Sequence, residues 1–351
     1  MTNRTIVFTA ENTAEVLDRP MPGLAPGKVL VRLVRSTISS GTERANLTGV
    51  PDNGIGIFND AKTVSWPRQC GYSSSGVVER VGADVTSVKE GDRVAVSWSV
   101  HAEHVAVPES QVYKLPEGVS FEAGALVHIS TFPMAAIRKC ALEIGESALV
   151  MGQGVLGQLA VMLLRAGGAT PVIAADPIPA KRERALMLGA DAALDPTDAD
   201  FVNAVKGLCP NSGREVLLGR VPDAGPRVAI EVTGNGKALD GLLDVVAPFA
   251  RVALLGCSRD SDFTIDYYHK VHGRGVSLIG AHTLARPEGE SSRGNWTTRD
   301  DAQAFIRLVA SGRVSTGGFV QEVHAVKDAS ETYARLAADR EFPVVQFDWT
   351  K

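Results

Sequence analysis

The sequence predicts an α/β chain in two parts: a doubly wound parallel-sheet domain through its middle, and a β-rich domain built largely from the residues before it. Three observations carry this. From about residue 130, short strands apolar on both faces alternate with helical stretches, the pattern of a parallel sheet covered by helices. One of those strands, Ala148-Leu149-Val150-Met151, runs into Gly152-Gln153-Gly154-Val155-Leu156-Gly157 and then an apolar helix, Gln158 to Leu164. The first ~120 residues instead hold many short strands punctuated by turns, without helices between them.

Taken in order, Ile6-Val7-Phe8 opens the β-rich part, and Val29 to Val34 alternates as a half-buried strand should. Gly76 to Gly82, Gly91 to Val96 and His104 to Val107 add three more strands, ending near Pro116. The parallel strands are expected at 148–151, 171–175, 228–232, 251–255 and 276–280. Helices are expected between them, at Lys181 to Leu188 and Ala238 to Val246. The last ~70 residues return to mixed α and β, with helices near 299–311 and 327–338 and a strand from Val344 to Phe347. The composition shifts divide the chain at 1–129, 130–281 and 282–351.

The glycine turn has a specific chemistry. Gly152 makes the tight turn, Gly154 lets backbone approach a pyrophosphate, and Gly157 lets helix and strand pack closely. Gln153, Val155 and Leu156 present N–H groups at the positive end of the helix dipole. The next strand ends at Asp176, nineteen residues beyond Gly157, about where an acid meets the adenosine ribose hydroxyls. A carboxylate there favours NAD and repels a 2′-phosphate, while Lys181 and Arg182 just beyond could tolerate one. As a bare sequence pattern, the same residues also suit a glycine-rich turn whose Asp176 is a helix cap.

The remaining composition narrows the setting. A chain of 351 residues exceeds one ordinary core, and 44% hydrophobic with 22% charged residues is a globular composition. A net charge of −4 gives no electrostatic case for nucleic acid or an anionic membrane. Cys70, Cys140, Cys209 and Cys257 are scattered without a C-x-x-C pair, as expected of reduced thiols. Met1 to Thr5 leads straight into a strand with no signal-peptide core, so a cytoplasmic protein is expected.

Along nearly its whole length the chain resembles the medium-chain dehydrogenase/reductase superfamily. The resemblance rests on Pro26 to Arg32, Gly71 with Gly76-Val77-Val78, Gly91-Asp92-Arg93-Val94 and Ala102-Glu103-His104-Val105. It continues through Gly152 to Gly157, Leu188-Gly189-Ala190-Asp191 and Ile230-Glu231-Val232-Thr233-Gly234. It implies a GroES-like catalytic domain made from both chain ends around a central Rossmann domain, with Thr233 and Gly234 also at the nucleotide. It further implies a homodimer paired through an edge strand, here Val276 to Ile279.

Departures from the family pattern shape the expected chemistry. Zinc-dependent members carry a four-cysteine lobe where this chain has only Ser97-Trp98-Ser99-Val100-His101. At the catalytic zinc positions the resemblance places Ser40 for a cysteine, Tyr72 and Ser73 for a histidine and a glutamate, and His128 for the third ligand. One imidazole with hydroxyls is a poor zinc set, so no metal is expected. Tyr72 or His128 is then expected to handle the proton, with Ser40 and Thr42 as relays and Glu43 orienting them. Each has a plain structural alternative: Tyr72 as a packing ring, His128 as a hydrogen-bonded core residue. Trp98, His101 and His282 are expected along the substrate pocket.

The reading favoured by these residues is zinc-independent, NAD-dependent interconversion of a secondary alcohol and its ketone, the alcohol being a polyol, sugar-like or natural-product intermediate. A quinone or enone reductase using NAD(P)H is the alternative, and a non-catalytic protein keeping NAD as a structural ligand is a third. Small molecules, not nucleic acids or membranes, are the expected partners.

Overall fold

The computed structural model describes residues 2–50, 64–210, 215–219, 221–258 and 263–351. They form two compact units: residues 1–131 with 298–351, and residues 132–297.

The first unit begins with an antiparallel pair, β1 (Thr2–Ala10) and β2 (Thr13–Pro20), followed by β3 (Lys28–Thr37) and helix α1 (Ser40–Leu47). Next come β4 (Arg68–Gln69), β5 (Ser73–Val81), β6 (Arg93–Ser97), β7 (His104–Pro108) and β8 (Val112–Lys114). Short helix α2 (Phe121–Gly124) precedes α3 (Val127–Lys139), within which the first boundary falls.

The second unit carries β9 (Ala148–Met151), α4 (Val155–Ala166), β10 (Val172–Ala175), α5 (Pro179–Met187), β11 (Ala192–Leu194) and α6 (Phe201–Leu208). A two-residue hairpin, β12 (Glu215–Val216) and β13 (Val221–Pro222), leads to β14 (Val228–Glu231), α7 (Gly236–Val245), β15 (Arg251–Leu254) and β16 (Ser277–Gly280). The six main strands lie parallel in the order β11-β10-β9-β14-β15-β16. That is the doubly wound order whose switch point falls between β9 and β14. β9, β10 and β14 are buried at every residue, as strands covered on both faces require. Phe201 and Val205 of α6 and Leu239, Leu242 and Leu243 of α7 close one face.

The chain then returns to the first unit with α8 (Thr298–Ala310), β17 (Glu322–Ala325), α9 (Ala329–Ala338) and β18 (Val345–Asp348). The large sheet there runs β17-β18-β3-β5-β6-β8, with β7 also paired to β3. Phe347 of β18 and Tyr333 of α9 join Phe8, Val31, Leu33, Val78 and Val96 in one core. Both chain ends therefore build this unit, as the resemblance implied.

The second boundary departs from expectation. Residues 282–297 belong with the parallel-sheet unit, not with the returning C-terminal part. Lys139 Nζ holds the carbonyls of Gly280 and Ala285, and the Arg138 guanidinium stacks 3.5 Å over the Trp296 ring. These cation contacts with α3 tie the segment down, and no composition shift marks them.

Candidate functional site

The nucleotide cradle sits at the switch point of the parallel sheet. Gly152 follows β9 with φ +100, and a Cβ there would stand 2.7 Å from Thr233 Cγ2. Thr233, two residues past β14, thus stands against the glycine turn. A Cβ on Gly157 would lie 1.8 Å from Gly152 O, so α4 can start this close to β9 only without a side chain there. A Cβ on Gly154 meets nothing within 4 Å. The open space stands over the first turn of α4, where backbone N–H groups lack helical partners.

Asp176 closes the other side. Its carboxylate accepts from Gln153 N at 2.8 Å and from Ile178 N at 2.9 Å. It therefore shapes the glycine turn as well as ending β10, and both functions suit the same acid. Arg182 is drawn to the Asp176 and Pro177 carbonyls and to Asp195, while Lys181 is half-buried on α5. Glu231, at the end of β14, accepts from Thr233 N at 2.7 Å and from Gly234 N, and also takes the Thr233 hydroxyl. Burial raises its pKa against these donors.

In the first unit, Tyr72, Trp98 and His128 converge. Tyr72 precedes β5, Trp98 follows β6, and His128 lies in the first turn of α3. The His128 ring meets Trp98 at 4.6 Å and Tyr72 at 5.7 Å, edge-on in both cases. Trp98 N donates to Tyr72 O at 2.8 Å, which continues the β5–β6 pairing by one step. Trp98 holds φ +54, a conformation a bulky side chain rarely adopts, and the residue is 41% exposed. His128 is only 2% exposed. The Tyr72 hydroxyl donates to Ser39 Oγ, the residue before α1, next to half-buried Ser40 and Thr42.

Two hydroxyls at the positions that the resemblance matches to zinc ligands are held by protein partners. The Tyr72 hydroxyl is engaged with Ser39, and Ser73 Oγ donates to Ala125 O at 2.7 Å. Hydroxyls held in this way leave His128 as the one good zinc donor of the set.

His101 is not a pocket residue. It is fully buried, with Nδ1 2.7 Å from Ser36 Oγ and Nε2 3.1 Å from Glu43 Oε2. A Cβ on Gly71 would lie 2.8 Å from its ring, so the imidazole packs against the turn just before Tyr72. Glu43 also accepts from Ser39 N at 2.8 Å and from the Tyr333 hydroxyl at 2.5 Å; Tyr333 Oη is in turn 3.5 Å from Cys70 Sγ. Glu43 thus holds the start of α1, and it belongs to a buried group of Glu43, Cys70 and His101 whose ligand atoms lie within 4.8 Å of one another. Against the expectation of no metal, this is a set of metal-ligating side chains. Reading the sequence missed it because the three residues are far apart and fit no motif. Burial pushes the Cys70 thiol and the Tyr333 hydroxyl well above their ordinary pKa values.

His282 lies in the parallel-sheet unit just past β16, half-buried, with Nδ1 accepting from Leu284 N at 3.2 Å.

Comparison with known proteins supports the fold. Residues 25–117 match the family model for an alcohol dehydrogenase GroES-like domain, and residues 155–293 match that for a zinc-binding dehydrogenase. The chain is 26% identical over 298 residues to L-threonine 3-dehydrogenase from Pyrococcus horikoshii, spanning 76% of this chain and 79% of that protein. It is 23% identical over 347 residues to D-guloside 3-dehydrogenase from Escherichia coli, spanning 93% and 94%. Its fold is similar to that of an alcohol dehydrogenase from E. coli complexed with NADH (TM-score 0.78, 19% identity, 99% of both chains). It is similar to the same degree to a protein from Sinorhizobium meliloti bound to NADP (TM-score 0.78, 20% identity, 99% of both chains).

Proposed function

This chain belongs to the medium-chain dehydrogenase/reductase superfamily, and on that premise we propose that it is an NAD(H)-dependent oxidoreductase interconverting a secondary alcohol and its ketone. The reaction is taken to need no metal at the reacting oxygen.

The observation that carries this reading is the convergence of Tyr72, His128 and Trp98 at the zinc-ligand end of the catalytic unit. Oxidising an alcohol removes a hydride from carbon and a proton from oxygen. When bound, a nicotinamide nucleotide supplies the hydride acceptor. The Gly152–Gly157 turn holds its phosphates and Asp176 its ribose. The chain's own groups then manage the oxygen. The Tyr72 hydroxyl takes up the substrate proton as its own passes to Ser39 Oγ, Ser39 in turn releasing its hydroxyl proton onward to solvent, and the same relay run backwards returns a proton to the carbonyl. His128 packs edge-on against Tyr72 and helps fix where that ring stands.

NAD is favoured over NADP because the Asp176 carboxylate repels a 2′-phosphate, while Arg182, the nearby cation, is committed to Asp195 and two carbonyls. Hydroxyls and imidazole at the cluster suit a hydroxylated substrate, a polyol or sugar-like alcohol. The full-length similarity to D-guloside 3-dehydrogenase supports that class. We further assign the protein to the cytoplasm, where its four free cysteines stay reduced, and to a homodimer joined along β16, an edge strand whose Leu278 is 36% exposed.

Tyr72→Phe and His128→Gln test the proton assignment. Tyr72→Phe is expected to lower kcat by about 10²- to 10⁴-fold while the dissociation constant for NADH stays within about twofold. A Tyr72→Phe enzyme of parental kcat would remove Tyr72 from the chemistry and leave His128 to carry it.

A further inference from the structure

Buried beside the hydroxyl–imidazole cluster is a second site. We propose that Glu43, Cys70 and His101 bind one divalent transition-metal ion, zinc in the cell, as a closed structural centre.

The donor set is of the right kind. Thiolate, imidazole and carboxylate are the three common zinc ligands, and no other trio of His, Cys, Asp or Glu among the described residues is so gathered. The carboxylate–imidazole spacing is close to what an ion needs. Ligands on a tetrahedral zinc with bonds of about 2.0–2.3 Å stand roughly 3.3–3.7 Å apart. His101 Nε2 lies 3.1 and 3.3 Å from the two Glu43 oxygens, and all three donors lie within 4.8 Å of one another. Tyr333 Oη, 2.5 Å from Glu43 Oε2 and 3.5 Å from Cys70 Sγ, is hydrogen-bonded to two of the three donors.

Supporting contacts orient the ligands as a metal site demands. His101 Nδ1 faces Ser36 Oγ at 2.7 Å, and Ser36 Oγ also accepts from Trp349 Nε1 at 2.8 Å. A proton held on Nδ1 and donated to Ser36 leaves the Nε2 lone pair for the ion. Ser39 N fixes Glu43 Oε1. Charge balances as well: one thiolate and one carboxylate neutralise a divalent cation, which suits side chains 0–5% exposed. On binding, the Cys70 thiol gives its proton to solvent.

Burial also assigns the role. A catalytic zinc keeps a position open to substrate, and none opens here. The ligands come instead from α1, the residue after β4 and the connection between β6 and β7, with Tyr333 of α9 beside them. The ion would tie α1 to the chain after β4 and to the β6–β7 connection.

The test starts with the parent protein, analysed for metal as purified, then unfolded with chelator and refolded with Co(II). About one zinc per chain is expected at first, then about one cobalt showing the charge-transfer absorption that only a thiolate ligand gives. Cys257→Ser should keep that band, Cys70→Ser should abolish it, and Glu43→Gln should weaken cobalt binding at least tenfold. A refolded parent with native circular dichroism and no stoichiometric cobalt would overturn the site and leave a hydrogen-bonded network of protonated groups. So would a thiolate band that survives Cys70→Ser. Should Cys70→Ser not fold, the parent band and Glu43→Gln decide.

Discussion

The His128 ring stands edge-on against Trp98, 4.6 Å between centroids, although Trp98 must hold a left-handed backbone to place it there. A strained residue that shields a buried imidazole while leaving 41% of its own surface exposed points to a role in binding, not in packing alone. Trp98→Ala removes the ring contact, worth about 0.5–1.5 kcal/mol beyond burial. Steady-state kinetics should show KM for the alcohol raised about two- to tenfold, with NADH affinity unchanged. Unaltered KM would make Trp98 a surface residue without function.

Two glycines of one turn should fail in different ways. Gly154→Ala adds a methyl into open space, so the fold tolerates it, yet it occupies the approach to the first turn of α4. NADH binding should weaken at least tenfold while Tm stays within a few degrees. Gly157→Ala drives a methyl to 1.8 Å from Gly152 O and should cost about 1–3 kcal/mol of stability, read from denaturant unfolding. If both substitutions lowered stability equally and Gly154→Ala spared NADH binding, the cradle would be misplaced.

The sequence made the nucleotide cradle legible because its signals are local: a buried strand, glycines at fixed spacing, an acid ending the next strand. Asp176 follows β10 and accepts from the glycine turn, where those rules put it. Tyr72, Trp98 and His128 were found through positional likeness, and they do come together. The Glu43–Cys70–His101 group was illegible, since its members are set by sheet register and by the return of the C-terminal strand, which no spacing rule captures. His101 was misjudged for the same reason, as position along the chain does not say which face of a loop turns inward. The late domain boundary escaped because contacts of Arg138 and Lys139 define it.

The thiols offer a test of burial. Cys257 is exposed, whereas Cys70, Cys140 and Cys209 are buried. Burial pushes Cys140 up to about 12 and Cys209 up to about 11, so neither forms thiolate near neutral pH. A thiol reagent at pH 7 should label Cys257 alone in the folded chain and all four cysteines after unfolding with chelator. Rapid labelling of a second thiol before unfolding would contradict the packing described.

The central claim, nicotinamide-dependent alcohol oxidation without a metal at the reacting oxygen, is tested most directly by one assay. The folded protein, incubated with a chelator that reaches open sites, is titrated with NADH and NADPH and assayed on polyols, sugars and enones. The account predicts tighter NADH than NADPH binding and NAD-dependent oxidation of a hydroxylated secondary alcohol, undiminished by the chelator. Turnover abolished by the chelator and restored by zinc would place a metal at the substrate oxygen. A strong NADPH preference with enone reduction would instead reduce Asp176 to a cap of the glycine turn.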